Sequence, residues 1–201
     1  MDNEMTFFYK MALLGSATQQ PLCNEYKNEW RACGDDKKKL LKFALRQQCL
    51  PFLFTYSYKD MGLSKEYLTS EYKDLINGAY TVENSDGVDG YTYELFVECN
   101  RLITQNKDVS AFMYCDSAVV EVEKTKCGSL FVGCGSDLNI SLCGFNSIRI
   151  YLYDESKVTI DSGDKESDVT VYKYSKDAKV EVGMYCLSSV RVFEKDLRLQ
   201  L

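Results

Sequence analysis

Histidine is missing from this chain of 201 residues. Its absence removes Ser-His-Asp and Cys-His nucleophile pairs, histidine-based zinc sites and the usual proton shuttle near neutral pH. Any catalysis would fall to carboxylates, Lys, Tyr or Cys. Proline is scarce, with Pro21 and Pro51 alone, and Trp30 is the single tryptophan. No apolar run approaches the ~20 residues that a membrane-spanning helix needs, so no membrane span is expected. The opening Met1-Asp2-Asn3-Glu4 is acidic where a secretory leader opens basic. Cytoplasmic synthesis without such a leader is therefore expected. Nine cysteines are present, but no two have Cys-x-x-Cys spacing, and with no redox or zinc-ribbon signature they read as structural thiols of a reducing compartment.

Tyrosine and phenylalanine are abundant, at 15 and 10 residues. Charge is unevenly divided. Residues 1–80 carry 11 basic and 10 acidic side chains, and residues 81–201 carry 13 and 20. The acidic second half argues against binding a phosphate backbone, so no nucleic-acid partner is expected. Lys37-Lys38-Lys39 is the one basic cluster. It follows Asp35-Asp36 and suits a solvated helix start better than a DNA reader.

From about residue 117 one phrase recurs: Val120-Glu121-Val122, Leu130-Phe131-Val132, Leu138-Asn139-Ile140, Ile148-Arg149-Ile150, Val158-Thr159-Ile160, Val169-Thr170-Val171, Val180-Glu181-Val182 and Val190-Arg191-Val192. The starts are 10, 8, 10, 10, 11, 11 and 10 residues apart. Apolar side chains at i and i+2 around a polar one fit a strand with one buried face, and β-branched residues suit that surface. Such spacing admits a β-solenoid, in which coils stack and like residues form columns, or an antiparallel β-sandwich. The missing Asn-Gly and Asp-Gly hairpin turns weaken the sandwich. The spacing predicts a short, parallel β-helix-like solenoid whose coil takes two phrases, about twenty residues on the repeat logic.

Before the repeat the pattern is helical. Helices are predicted over residues 4–14, from Leu22 to Cys33 with Gly34 as C-cap, from Asp35-Asp36, acidic at the helix's positive end, to about Leu50 where Pro51 breaks the run, and from Ser64 as N-cap to Ile76. Residues 52–58 fit a short strand or a buried turn. The chain thus reads as α+β: a small helical bundle over 1–80, a connecting loop and strand over 81–110, and a β-solenoid repeat domain over 111–201. Asp86 and Asp89 in the connecting loop lack the spaced ligands of a calcium loop. No metal or cofactor is expected.

Two features of the repeat region carry functional candidates. Asp154, Glu155, Asp161, Asp164, Glu166 and Asp168 form an acidic run that a polysaccharide-cleaving solenoid could use, since glycoside hydrolysis needs two carboxylates at a set separation. They fall between the phrases and alternate with Lys157 and Lys165, which suits solvated turns. Tyr151, Tyr153, Tyr172, Tyr174 and Tyr185 recur beside the phrases and form a candidate binding surface for a protein or a carbohydrate; the competing reading is packing against the rest of the chain.

Cys23 to Cys49, Gly62 to Tyr67 ("GLSKEY"), Ile76 to Gly78 ("ING"), Gly144 to Ser147 ("GFNS") and Tyr151 to Thr159 ("YLYDESKVT") resemble stretches of small uncharacterised phage and prophage proteins of gut bacteria. That resemblance covers most of the chain and implies a phage-related, virion-associated setting, with no functional residues attached. The expected function is non-enzymatic: an assembly or adhesion protein, with the helices as attachment and the solenoid as a rigid oligomerising element. A short stack exposes its end strands and needs a cap or a neighbour, so a homo-oligomer or larger assembly is expected. The alternating tail from Asp196 to Leu201 could serve as such a cap. The alternatives are a carbohydrate-binding or polysaccharide-active solenoid, and a phage factor that binds a host protein through its acidic face.

Overall fold

Asp36 and Ser64 each start a helix by the same device. In the computed structural model the Asp36 carboxylate accepts the Lys39 N–H at 3.1 Å and the Ser64 hydroxyl accepts the Tyr67 N–H at 3.1 Å, which satisfies a donor that the first helical turn leaves open. The structure describes residues 24–46, 49–51, 53–54, 64–76, 79–82, 91–105, 107–122, 128–144, 147–162, 166–186 and 188–195. The expected helix over 4–14, the Asp86 and Asp89 loop, Asp164, Lys165, Cys127 and the tail from Asp196 lie outside these residues.

The chain divides into two units, up to Asn77 and from Gly78 to Lys195. In the first, α1 spans Asn24–Cys33, α2 Lys37–Ala44 and α3 Lys65–Glu71. Gly34 follows α1 at φ +55, the left-handed geometry that closes a helix. Trp30, Leu40, Leu41, Phe43 and Leu68 are buried. α2 stops earlier than the apolar pattern predicts. Leu45 caps it through Leu41 O, and the Arg46 guanidinium lies over the Tyr26 and Phe43 rings while it pairs with Glu29. Pro51 does not break a helix. Leu50, Pro51, Leu53 and Phe54 are helical, because a first-turn proline lacks only an N–H that would have had no partner.

The second unit is a parallel β-solenoid. Among the described residues its strands are β1 Ala79–Val82, β2 Tyr93–Val97, β3 Leu102–Gln105, β4 Val109–Met113, β5 Ala118–Val122, β6 Gly128–Gly133, β7 Asp137–Leu142, β8 Ser147–Leu152, β9 Lys157–Asp161, β10 Asp168–Lys173, β11 Lys179–Val182 and β12 Ser189–Glu194. They form one sheet ordered β1-β2-β4-β6-β8-β10-β12 and another ordered β11-β9-β7-β5-β3. All eight phrases are strands, and successive phrases alternate between the sheets. Every pairing is parallel except β1 with β2, which rules out the antiparallel sandwich.

Register gives the coil length. Ser129 lies against Val109 and Arg149 against Ser129, so these coils take 20 residues; Val109 lies against Tyr93, a coil of 16. The inner columns of Val, Ile and Leu from both sheets make one core, with Val120, Leu130, Leu138, Ile150, Val158, Val169 and Val171 fully buried. The parallel ladder reaches back to Tyr93, ahead of the boundary that the repeat suggests at residue 111. β2 is the strand expected in the connecting segment, and its parallel pairing with β4 makes it part of the ladder.

Candidate functional site

Residues one coil apart on the outer face of a parallel stack are brought side by side by the register itself. Phe131 lies against Tyr151, Tyr151 against Tyr172, and Tyr172 against Phe193. Their rings stack, with centroids 4.4, 5.4 and 5.8 Å apart and planes within 24°. Tyr153 and Tyr174, just past the ends of β8 and β10, stack beside them at 4.9 Å and 8°. The Lys195 ammonium sits 5.5 Å from the Tyr172 centroid. Four of the five candidate tyrosines therefore form one aromatic ladder. Tyr185 does not join it, because it sits on the turn after β11, 80% exposed. Phe131 and Phe193 belong to the ladder and were not among the candidates; the offsets 131, 151, 172 and 193, one coil each, are the signal that identifies them.

The ladder is not an open platform. Tyr153 is 2% exposed, and burial raises its phenol well above the ordinary tyrosine range, with Tyr174 and Tyr151 adding to the effect. Burial likewise raises Tyr174. A ring stacked on both faces has only its edge left for a partner. Phe193, at the end of the column, keeps one face open.

The acidic run is divided by the fold. Asp154 and Glu155 lie at the corner between β8 and β9, whereas Asp161, Glu166 and Asp168 flank the next corner, between β9 and β10. β9, from Lys157 to Asp161, separates the two corners, a rise of about 13 Å at ~3.3 Å per residue. Glycosidase carboxylates stand about 5 to 9.5 Å apart. Asp168 pairs with Arg191 on the next coil at 2.7 Å, and Asp161 accepts the Ser162 N–H.

Asp154 is a corner brace. It is buried, and its carboxylate accepts the N–H groups of Cys134, Gly135 and Ser156 and the Ser156 hydroxyl. Burial pushes the carboxyl up, against these hydrogen bonds, which favour its charge. Serine hydroxyls tie the same corner from coil to coil: Cys115 N–H donates to Ser136 Oγ, and Ser136 N–H to Ser156 Oγ. The corner also turns through left-handed residues in register, Glu98, Tyr114, Cys134 and Asp154, with φ between 49 and 58.

Cys49, Cys99, Cys115 and Cys134 are buried, and the seven described cysteines are free thiols. Burial pushes the Cys115 thiol up to about 12, far from a reactive thiolate. Among the described residues no three Cys, Asp or Glu side chains form a metal-holding group, and no helix is long and apolar enough to cross a membrane. No protein-family model, curated protein or solved structure matches the chain.

The remaining distinctive surface is the C-terminal end of the stack. There the inward Val182 and Val192 are 49% and 45% exposed, next to Phe193, Met184 and Tyr185.

Proposed function

We propose that this protein is a non-enzymatic structural element that takes part in an assembly or in adhesion, with its solenoid as a rigid stack of coils and its N-terminal helices as the attachment. One observation carries the reading: four of the five candidate tyrosines, and Asp154 and Asp168 of the acidic run, contact the repeat itself. These tyrosines stack on one another, and Asp154 and Asp168 hold neighbouring coils together. Such side chains stiffen a stack and leave little for a substrate. The resemblance of Gly62 to Tyr67 and Tyr151 to Thr159 to phage and prophage proteins makes a virion the setting to search first.

The test is stoichiometry. In particles purified from the native source, quantitative mass spectrometry should find this chain at a fixed copy ratio to the other components. Its absence from every such particle would overturn the proposal, as would hydrolysis of a polysaccharide by the purified protein. A glycan array separates the carbohydrate alternative: binding that Tyr172→Ala abolishes while the fold persists would favour it.

A further inference from the structure

We infer that the C-terminal edge of the solenoid is a self-association surface, through which two copies join tail to tail about a two-fold axis with β12 against β12. The inference rests on the reading of the protein as a building element and names its first partner.

Within the stack each inward side chain is covered by the coils on both sides. Val158, Ile160, Val169 and Val171 are fully buried. The same columns reach the surface at the last coil, where Val182 is 49% and Val192 45% exposed. Among the described residues β12 pairs with β10 alone and β11 with β9 alone, so each presents a row of backbone donors and acceptors along its far edge. The aromatic ladder also runs out here. Phe193 stacks on Tyr172 with one face, and its other face points along the column where a further ring would sit. Met184 and Tyr185, on the turn between β11 and β12, are 88% and 80% exposed. The core, the ladder and both sheets thus end together at one surface.

The other end of the seven-stranded sheet is different. There the parallel ladder is finished by β1, which pairs antiparallel with β2. A head-to-tail filament would need the two ends to match, and in this sheet they do not. Like edges can still meet through an isologous two-fold, the commonest closed interface between identical chains. A two-fold makes β12 pair with itself antiparallel, and residues directly opposed in such a pair point to the same face. On β12, Val190, Val192 and Glu194 face inward, and Ser189, Arg191 and Phe193 face outward.

Three registers keep Val192 and Phe193 inside the pairing. Centring on Arg191 sets two guanidinium groups against each other. Centring on Phe193 sets Arg191 against the partner's Lys195. Centring on Val192 opposes no like charges, which directly facing positions penalise. It joins the valine columns of the two copies and sets Arg191, whose charge Asp168 of its own chain already balances, across from the partner's Phe193. The geometry therefore selects the register centred on Val192.

Light scattering coupled to size exclusion, from 1 to 100 µM intact chain, tests the inference. The expected mass is twice the 23.0 kDa of the chain. Val192→Lys and Phe193→Lys should each return it to 23.0 kDa with the circular dichroism unchanged, because both positions are already exposed in the single chain. Val192→Cys should form a disulfide-linked dimer under mild oxidation, since opposed Cα atoms in an antiparallel pair lie about 4.5–5.5 Å apart, within disulfide reach. Thr159→Cys on the interior strand β9, and the unsubstituted chain with its native cysteines, should not cross-link. A wild-type monomer at every concentration overturns the inference. So does a dimer that survives both lysine substitutions, or one that appears only when residues 196–201 are removed; the last result would assign the edge to the chain's own tail. None of these outcomes bears on the copy ratio in native particles, so the dimer can fail while the structural role stands.

Discussion

Glu94 shows how the local environment decides what one carboxyl does. It sits on β2, on the face that carries Phe96 into the core, and Ser110 lies directly across from it on β4. Glu94 Oε2 and Ser110 Oγ are both buried without a hydrogen-bond partner. Burial raises the Glu94 pKa, and Lys107 only partly offsets the effect. A carboxyl whose folded pKa exceeds its unfolded one stabilises the fold below the unfolded value, and that contribution is lost as pH rises through the folded value. Glu94→Gln should therefore raise the urea midpoint at pH 7, with the gain shrinking toward zero as the pH falls below the ordinary glutamate range. An equal gain at both ends of the titration would contradict the sign. Asp154 gives the opposite kind of prediction. Asp154→Ala strands three backbone N–H groups and places alanine at φ +49. With each stranded donor costing ~1–3 kcal/mol and left-handed backbone ~1 more, a loss of at least about 4 kcal/mol is expected from urea melts. Asp154→Asn, which tolerates that backbone and keeps an acceptor, should lose less than half as much.

At the scale of the element, the stacked column and the isolated turn separate structure from recognition. Tyr172 lies between Tyr151 and Phe193. Aromatic pairs contribute ~0.5–1.5 kcal/mol each beyond their buried area, so Tyr172→Ala should cost about 2–3 kcal/mol. Tyr185→Ala, on its exposed turn, should stay within ~0.5 kcal/mol of wild type. Equal effects of the two substitutions on thermal unfolding would show that the ladder carries no special share of the stability. The helices follow the same logic of local chemistry. Asp36 and Ser64 stand where their caps are needed, and the Asp36 carboxyl is held below the ordinary aspartate range chiefly by the Lys39 N–H.

Over the whole molecule, a solenoid's stability is a sum over neighbouring coils, so it should fall toward an open end. Hydrogen exchange should be slowest in β6 and β8, which have a strand on each side, and fastest in β12. The tail-to-tail dimer adds a concentration dependence. At 100 µM the β12 amides that point away from β10 should slow relative to 1 µM, while β6 and β8 stay unchanged. If β12 exchanges at the same rate at both concentrations, the edge is unpaired in solution.

The succession of strands was legible in the sequence, whereas the choice of a parallel stack over an antiparallel sandwich was made by the pairing. Apolar residues at i and i+2, renewed every ten or so positions, can bury one face only as strands, and regular spacing lets those strands fall into columns. The helix start at Ser64 was legible for a similar reason, because a capping side chain acts on a backbone donor three residues away. Three further things were decided only in three dimensions. β2, expected only as a strand of the connecting segment, joined the ladder through its pairing with β4, which no recurring phrase marks. The corner turns left-handed at Glu98, Tyr114, Cys134 and Asp154, where no glycine announces it; the hydrogen bonds that brace such a corner come from residues a full coil away, as from Asp154 to Cys134 and Gly135. The tyrosines were visible as a set, but whether their faces were open depended on what lay one coil above and below. Periodicity is a property of neighbours along the chain and survives in the sequence, whereas stacking belongs to neighbours across coils and exists only once the register is set.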